Sequence, residues 1–301
     1  MLAPMPDGRP TRLVYAGTPE IAVGPLRALH RAGFEIACVV TGAYVRRGRG
    51  SQVSPSPVKV AALELGLPVV HDVTEVLGCA GAGTLGVVVA YGSLVPHAVL
   101  ARVPMINAHY SLLPRWRGAA PVERAILEGD HVTGVCIMRV VDDLDAGEVY
   151  SRHEVEIGPE ETADGLRRRL DLLAQQMLVD SITRGSWVGE PQVGASTYAR
   201  KITTADRRLR VGSTVLESRR VRIGGAFLMI TGQRVRILSA RIADQAIGAG
   251  AIRVVDGKAL LGCGDGSLEL LLVRPEGKSE MTGIDWMRGR RDADTLEIDH
   301  E

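Results

Sequence analysis

A chain of 301 residues is longer than one small module and accommodates two domains, since a typical domain takes about 100 to 200 residues. With 46% hydrophobic and 24% charged residues it has the composition of an ordinary soluble globular protein, and no apolar run approaches the roughly 20 residues that span a bilayer, so a helical membrane protein is excluded. The net charge of +1 argues neither for nor against a nucleic-acid partner, and Cys38, Cys79, Cys136 and Cys263 share no CxxC spacing of a zinc or redox site.

Met1 to Thr11 is polar and contains proline but no apolar h-region, so it reads as a loose extension and not a secretory signal; a cytoplasmic protein is expected. Arg12 to Ala16 is the first strand. Gly17-Thr18-Pro19 turns the chain, with Thr18 placed as an N-cap and Pro19 at the first helical position, and a helix runs to about Ala32. Glu35 to Val40 is a second strand, Val58 to Leu65 a helix, and Leu85 to Ala90 a nearly continuous apolar strand of the kind buried on both faces. A further strand reaches Asn107. A hairpin-like pair, Val135 to Val141 and Glu148 to Val155, and a long helix from Thr162 to about Thr183 complete a domain over 12–184. Alternation of strands and helices predicts an α/β, Rossmann-like, mostly parallel sheet, with ligands at the carboxyl ends of its strands.

Residues 185–204, opening on the glycine-rich stretch Gly185 to Gly194, read as a linker. From 205 to 291 short strands alternate with glycine turns such as Gly224-Gly225 and Gly264-Asp265-Gly266, and no helix is evident before Gly283. This pattern predicts a smaller antiparallel β-barrel of OB-like type. Between Ala205 and Arg253 ten arginines face three acids, a local net charge of +7. Residues 292–301 are acidic and poor in apolar side chains, so a disordered tail is expected.

Asn107-Ala108-His109 stands where the central sheet ends, and alternation puts the amide and the imidazole on one face. Ser111-Leu112-Leu113-Pro114-Arg115-Trp116-Arg117-Gly118-Ala119-Ala120-Pro121 follows, a loop-like run that exposes apolar groups and two arginines as loops do for a ligand. Asp145 lies in the acidic turn Asp142 to Glu148. Alone it reads as a solvated turn, but a carboxylate brought beside His109 would orient the imidazole for proton transfer. The first strand invites a dinucleotide reading, yet GxGxxG is missing, so NAD is disfavoured, and no metal-ligand spacing is present.

These residues resemble those of methionyl-tRNA formyltransferases and, more broadly, of enzymes that use 10-formyltetrahydrofolate. Tyr15 to Glu20, Pro55-Ser56-Pro57-Val58-Lys59, Val89-Ala90-Tyr91-Gly92, Asn107-x-His109, Ser111 to Pro121, Leu144-Asp145-x-Gly147 and Tyr198-Ala199-x-Lys201-Ile202-Thr203 look like the family's motifs in the family's order. The resemblance implies transfer of the formyl group of 10-formyltetrahydrofolate to the α-amino group of methionyl initiator tRNA, with no metal and no NAD. It implies that Asn107 and His109 donate to the formyl oxygen as charge develops there, and that Asp145 fixes the charge state of His109 and helps move the amine proton. Val89, Ala90, Tyr91, Gly92, Ser111, Leu112, Leu113 and Pro114 would hold the folate, the two leucines against its ring unless they are simply core.

By the same resemblance, the arginine-bearing loop from Thr41 to Ser54 looks like the family's insertion that enters the acceptor arm of tRNA. Arg46, Arg47 and Arg49 are therefore expected at phosphates, together with Arg115, Arg117, Arg207 and Arg208. A monomer with tRNA and folate as partners and no membrane is expected. Tyr110 stands where many members carry a small residue, and the Asn-Pro stretch usual near Arg222-Ile223-Gly224-Gly225-Ala226 is absent. Three other readings remain: a formyltransferase for another primary amine, such as a nucleotide amino sugar or glycinamide ribonucleotide, a tRNA-binding relative without catalysis, and an enzyme that hydrolyses formyl-folate to formate.

Overall fold

Runs of β-branched residues separated by amphipathic stretches assemble into a layered α/β unit, and the glycine-punctuated second half into an antiparallel one. The computed structural model describes residues 1–42, 45–46, 53–290 and 296–299. By internal contacts it divides into a first unit of Met1–Pro121, Val132–Glu156 and Arg167–Arg200 and a second of Val122–His131, Ile157–Leu166 and Lys201–Glu301. The main helices in chain order are α1 (Val23–Arg31), α2 (Pro57–Glu64), α3 (Pro121–Glu128), α4 (Ala163–Arg184), α5 (Thr214–Arg222) and α6 (Gly283–Arg288).

The main sheet of the first unit has seven strands: β1 (Arg12–Gly17), β2 (Ile36–Val40), β3 (Val69–Val70), β4 (Thr84–Val89), β5 (Met105–His109), β6 (Val132–Arg139) and β7 (Val149–Glu156). Their order across the sheet is β7-β6-β5-β4-β1-β2-β3. The five strands from β5 to β3 are parallel, and β6 and β7 add an antiparallel edge, as the hairpin reading required. Every residue of β4 is buried, which is why that strand reads as an unbroken apolar run instead of an alternation.

The strand order reverses between β1 and β4, so the carboxyl ends of these strands form the crevice where such sheets bind ligands. Gly17 ends β1 at that point; a Cβ there would lie 2.7 Å from the Ala22 Cβ and 2.8 Å from the Val89 carbonyl oxygen, so only glycine lets β1 and β4 approach. Thr18 does not cap the following helix. Pro19 occupies the N-cap of a single 3-10 turn before α1, and the Thr18 hydroxyl instead donates to the Tyr91 carbonyl at 3.3 Å and accepts from the Gly42 N–H. One short side chain thus joins three strand ends.

The amino-terminal extension, expected to be loose, is tied down. Ala3 N–H donates to Leu100 O at 2.9 Å, Arg139 donates to Ala3 O at 2.7 Å, and Leu2 packs on the apolar cluster of Val14, Val40 and Leu100. On the other side of the sheet the Tyr110 hydroxyl donates to Asp171 of α4, whose second oxygen accepts from Gln175. Burial pushes the Asp171 carboxyl above the usual carboxylate range, and the Tyr110 and Gln175 hydrogen bonds only partly oppose it.

The second unit is an antiparallel sheet of β8 (Phe227–Ile230), β9 (Gln233–Ala243), β10 (Ile252–Val255), β11 (Lys258–Cys263) and β12 (Gly266–Pro275), in the order β8-β9-β12-β11-β10, with β13 (Met281–Thr282) on β12. Register shifts between Ile237 and Ala240 bend β9 into a half-barrel around Leu228, Ile237, Leu261, Leu268 and Trp286. Helix α5, like α3, escaped the sequence pattern. The buried residues of α5 are Thr214, Glu217 and Val221, two of them polar, so its inner face carries no apolar period. The fully buried Glu217 carboxylate accepts from Arg210 N–H, Gly212 N–H and Arg220 at 3.2, 3.1 and 2.6 Å, which makes the burial tolerable.

Residues 296–299, expected in a disordered tail, complete this core. Leu296 and Ile298 are buried, and the Asp299 carboxylate accepts from Thr231 N–H and Gly232 N–H in the β8–β9 turn. Also within this unit, Arg124 of α3 forms a bidentate pair with Asp206, both contacts at 3.0 Å, while Thr203 and Asp206 cap each other's backbone. Burial opposes ionisation of Asp206, but Arg124 and Thr203 together hold its carboxyl down to about 2. The Lys201-Ile202-Thr203 lead-in is therefore a helix start locked by an arginine. No helix among the described residues is long and apolar enough to cross a membrane.

Candidate active site

Extended geometry at the end of β5 puts Asn107 and His109 on one side of the strand, with Asn107 partly exposed and His109 buried at 5% exposure. The Asn107 carboxamide makes no hydrogen bond to another described residue, which leaves both of its donors for a ligand. His109 is held from two sides. Its Nε2–H donates to the Trp116 carbonyl at 2.8 Å, and its Nδ1 faces Asp145 Oδ2 at 3.7 Å. A carbonyl only accepts, so this contact fixes the proton on Nε2 and turns the other nitrogen to the carboxylate.

Asp145 sits at φ +50 in the turn after β6, and Oδ2 also accepts from the Gly118 N–H at 2.8 Å. Gly147, two residues on, must be glycine because a Cβ would run into the Arg139 carbonyl. Six described residues other than glycine adopt left-handed backbone, and three of them, Ala90, Trp116 and Asp145, border this site. Such conformations are costly and persist where the surroundings hold them, which is commonest at functional sites.

The run from Ser111 to Pro121 is a folded loop. The buried Ser111 hydroxyl donates to Arg115 O at 2.6 Å, and the Leu113–Pro114 peptide is cis. The loop's second half pairs in parallel with Tyr198–Ala199, and Trp116 N–H donates to the Thr197 hydroxyl at 2.9 Å. The Tyr198-Ala199 motif thus braces the loop that supplies the Trp116 carbonyl and the Gly118 amide.

Among the expected folate residues, Val89 ends β4 in the core, Ala90 (φ +45) and Gly92 (φ +84) turn the chain sharply, and Tyr91 is partly buried. His97, just beyond, pairs with Asp142 at 3.0 Å and so ties this turn to the acidic one. Leu112 and Pro114 keep partial exposure. Leu113 packs with Cys136, Met138 and Val149 at 2% exposure, which places its side chain in the core beside the antiparallel edge strands. An open groove between α1 and α2, lined by Glu20, Val23, Arg27 and Pro57, contains none of these residues.

The expected RNA-facing arginines divide. Arg115 is exposed and stacks over the Trp116 ring at 4.5 Å, and Arg207 is exposed. Arg117 instead donates from Nε and Nη2 to Gln192, and Arg208 donates to the Asp299 carbonyl, so both heads are turned inward to acceptors the sequence did not reveal. Of Arg46 only the backbone is described, in a two-residue ladder with Val53, and Arg47 and Arg49 lie outside the described residues. Sequence reasoning missed the Trp116 carbonyl and Gly118 amide, which are backbone groups without a signature, and Gln192, hidden in a stretch that reads as a spacer.

With this geometry established, the chain can be set beside known proteins. Residues 13–182 match the model of the formyl transferase family and residues 222–291 that of the formyl transferase C-terminal domain. The chain is 40% identical over 294 residues to methionyl-tRNA formyltransferase of Roseobacter denitrificans, covering 92% of this chain and 95% of that one. It is likewise 40% identical over 296 residues to methionyl-tRNA formyltransferase of Clavibacter michiganensis subsp. michiganensis, covering 92% and 97%. In fold it is similar to WlaRD, a sugar 3N-formyl transferase solved with dTDP and 5-N-formyl-THF, at a TM-score of 0.69 and 17% identity over 90% of this chain and 100% of that one. The N-formyltransferase of Helicobacter canadensis gives a TM-score of 0.66 at 16% identity over 86% and 98%. The chain belongs to the formyl transferase family, in its methionyl-tRNA formyltransferase branch.

Proposed function

We propose that this chain transfers the formyl group of 10-formyltetrahydrofolate to the α-amino group of methionyl initiator tRNA, with Asn107, His109 and Asp145 as the catalytic residues. The observation that carries the site assignment is the arrangement at the end of β5: an unengaged amide, and a buried imidazole whose Nδ1 stands 3.7 Å from a carboxylate.

The amine nitrogen attacks the formyl carbon, the C–N bond to the methionyl nitrogen forms, the bond to folate N10 breaks, and the amine proton ends on N10. An unperturbed α-amino group titrates at about 7.7 to 8.0, and an ester on the adjacent carboxyl lowers this further, so a useful share is neutral without a strong base. The work left to the protein is positioning and stabilisation of the oxygen that becomes negative in the tetrahedral intermediate. Asn107 is a ready donor to that oxygen. His109 becomes the second donor when the formyl oxygen replaces the Trp116 carbonyl as the acceptor of Nε2–H, and the Asp145 charge favours the protonated ring as the proton passes. No covalent enzyme intermediate is required.

The turn formed by Ala90 to Gly92 with the exposed edges of Leu112 and Pro114 is proposed to hold the folate. Arg46, Arg47, Arg49, Arg115 and Arg207 are proposed at tRNA phosphates, in a cytoplasmic monomer. Incubation with 10-formyltetrahydrofolate and methionyl initiator tRNA should yield N-formylmethionine, while amino-sugar nucleotides and glycinamide ribonucleotide should not be formylated. Formylation of one of these small amines without formylation of the tRNA would overturn the proposal.

A further inference from the structure

We propose that Gln192 is a positioning residue for the His109–Asp145 pair, an inference that rests on the transfer reaction proposed above. Gln192 is partly buried, whereas Pro191 and residues 193–196 around it are exposed, so its side chain is drawn inward from an otherwise solvated stretch. Its Nε2 donates to the carbonyl oxygens of Asp145 and Gly147, both at 2.8 Å. Its Oε1 accepts from Arg117 Nε at 3.0 Å and Nη2 at 2.6 Å. A primary amide has two donor hydrogens and two acceptor lone pairs, and here all four are used.

The consequence follows from what those four partners belong to. Asp145 is in left-handed backbone at φ +50, which an aspartate keeps only when neighbours hold it. Its carbonyl is held by Gln192 and its carboxylate by the Gly118 N–H, and Gly118 is the residue after Arg117, the other partner of Gln192. One amide therefore joins the turn that presents the carboxylate to the loop that orients both carboxylate and imidazole. At 3.7 Å the Asp145–His109 contact is already beyond direct hydrogen-bond length, so a small rotation of the turn removes it. Glutamate has the shape and the acceptors but no N–H, lysine has donors but no acceptor, and asparagine is one methylene short. Gln192 touches no reacting atom and acts only through this frame.

The test uses the full chain with Gln192→Ala and Gln192→Glu, the second keeping side-chain bulk should the first fail to fold. Misplacement of a catalytic group by about 1 Å costs on the order of 100-fold, so kcat should fall roughly 10- to 100-fold with the KM of the formyl donor within about threefold. In parallel, protein labelled with ¹⁵N-histidine should show a shift of the His109 Nδ1 resonance in both variants, identified by its loss in a His109 variant, whether or not the melting temperature falls. Unchanged kcat and unchanged His109 resonances overturn the proposal, as does lowered thermal stability with those resonances unmoved, which marks a mere staple of the linker. If the native chain formylates no methionyl-tRNA but the His109 resonances still respond, the functional reading falls and the positioning role stands.

Discussion

Asp145→Asn separates charge from shape. The asparagine oxygen can still accept from the Gly118 N–H, which the carboxylate does at 2.8 Å, so the turn and the loop keep their contact. What disappears is a negative charge 3.7 Å from His109 Nδ1, in a place where the two side chains are only 6% and 11% exposed. Unit charges near 4 Å interact by about 4 kcal/mol at the effective dielectric of about 20 that suits protein sites. If that energy stabilises the protonated ring only as the transition state forms, kcat falls by about three powers of ten, at roughly 1.4 kcal/mol per decade. KM for 10-formyltetrahydrofolate should stay within about threefold, because the charge does not serve ground-state binding. Asp145→Ala should cost kcat as much and in addition destabilise the fold by about 1–3 kcal/mol, since it strands the Gly118 N–H. Single-turnover transfer to methionyl-tRNA, read beside urea unfolding, measures both. An Asp145→Asn enzyme within tenfold of the native rate would refute the electrostatic role and leave Asp145 a structural residue of the loop.

Asp171→Asn tests the buried pair beneath Tyr110. Burial raises the folded-state pKa of this carboxyl above its unfolded value, so whatever stability it contributes is fully present below about pH 4 and lost as pH rises through the folded value. The variant, whose amide oxygen still accepts from Tyr110, should melt higher than the native chain at pH 7 and show no advantage near pH 4; parallel melting curves across that range would count against it. Gly17→Ala should destabilise by about 1–3 kcal/mol, because backbone at 2.8 Å cannot move aside as a flexible side chain does, and a neutral effect on unfolding would show that β1 and β4 can separate freely. Arg207→Gln should weaken binding of methionyl-tRNA and lower its salt slope by about one, while Arg222→Gln should lower stability and leave the slope alone; equal effects on the slope would remove the distinction between outward and inward arginines.

The strand ends that frame the site were legible because the sheet is buried on both faces: β4 is apolar at each position, and a run of that kind has few alternatives. Asn107, His109 and Asp145 were legible as residue types in a family order, and the hairpin of β6 and β7 from its alternation. What could not be read are features that reside in the backbone or in three dimensions. The Trp116 carbonyl that engages His109 is the same chemical group on any residue, and the left-handed backbone at Ala90, Trp116 and Asp145 falls on residue types that do not advertise it as glycine would. Thr18 carries every signal of an N-cap and is instead taken by Tyr91 and Gly42, partners 73 and 24 residues away, because tertiary acceptors compete with local ones. Helix α5 was missed for the opposite reason: its inward face holds Glu217, and a buried carboxylate breaks the apolar period that identifies a helix.

The arginine-rich stretch shows why charge counted along a chain is a poor map of charge on a surface. Of its ten arginines, Arg208 donates to Asp299 O, Arg219 to Leu127 O, Arg220 pairs with Glu217, Arg222 donates to Glu161 O and Gly158 O, and Arg241 pairs with Glu269. Within the second unit these contacts tie α5 to α3 and to the 158–161 segment, the end of the chain to Arg208, and β9 to β12. Burial even lowers the Arg222 pKa, which marks a guanidinium used as a structural donor and not as a surface charge. Arg207, Arg210, Arg234, Arg236 and Arg253 are exposed and, unlike the exposed Arg241, make no ion pair among the described residues; Arg234 and Arg236 alternate along β9 so that both stand on its outer face. Under the proposed tRNA role these five are the arginines expected at phosphates, because only a guanidinium that keeps its donors toward water has counterions to exchange for phosphate. A sequence window of +7 therefore combines two populations, one engaged in contacts within the half-barrel unit, the other with its charge left at the surface.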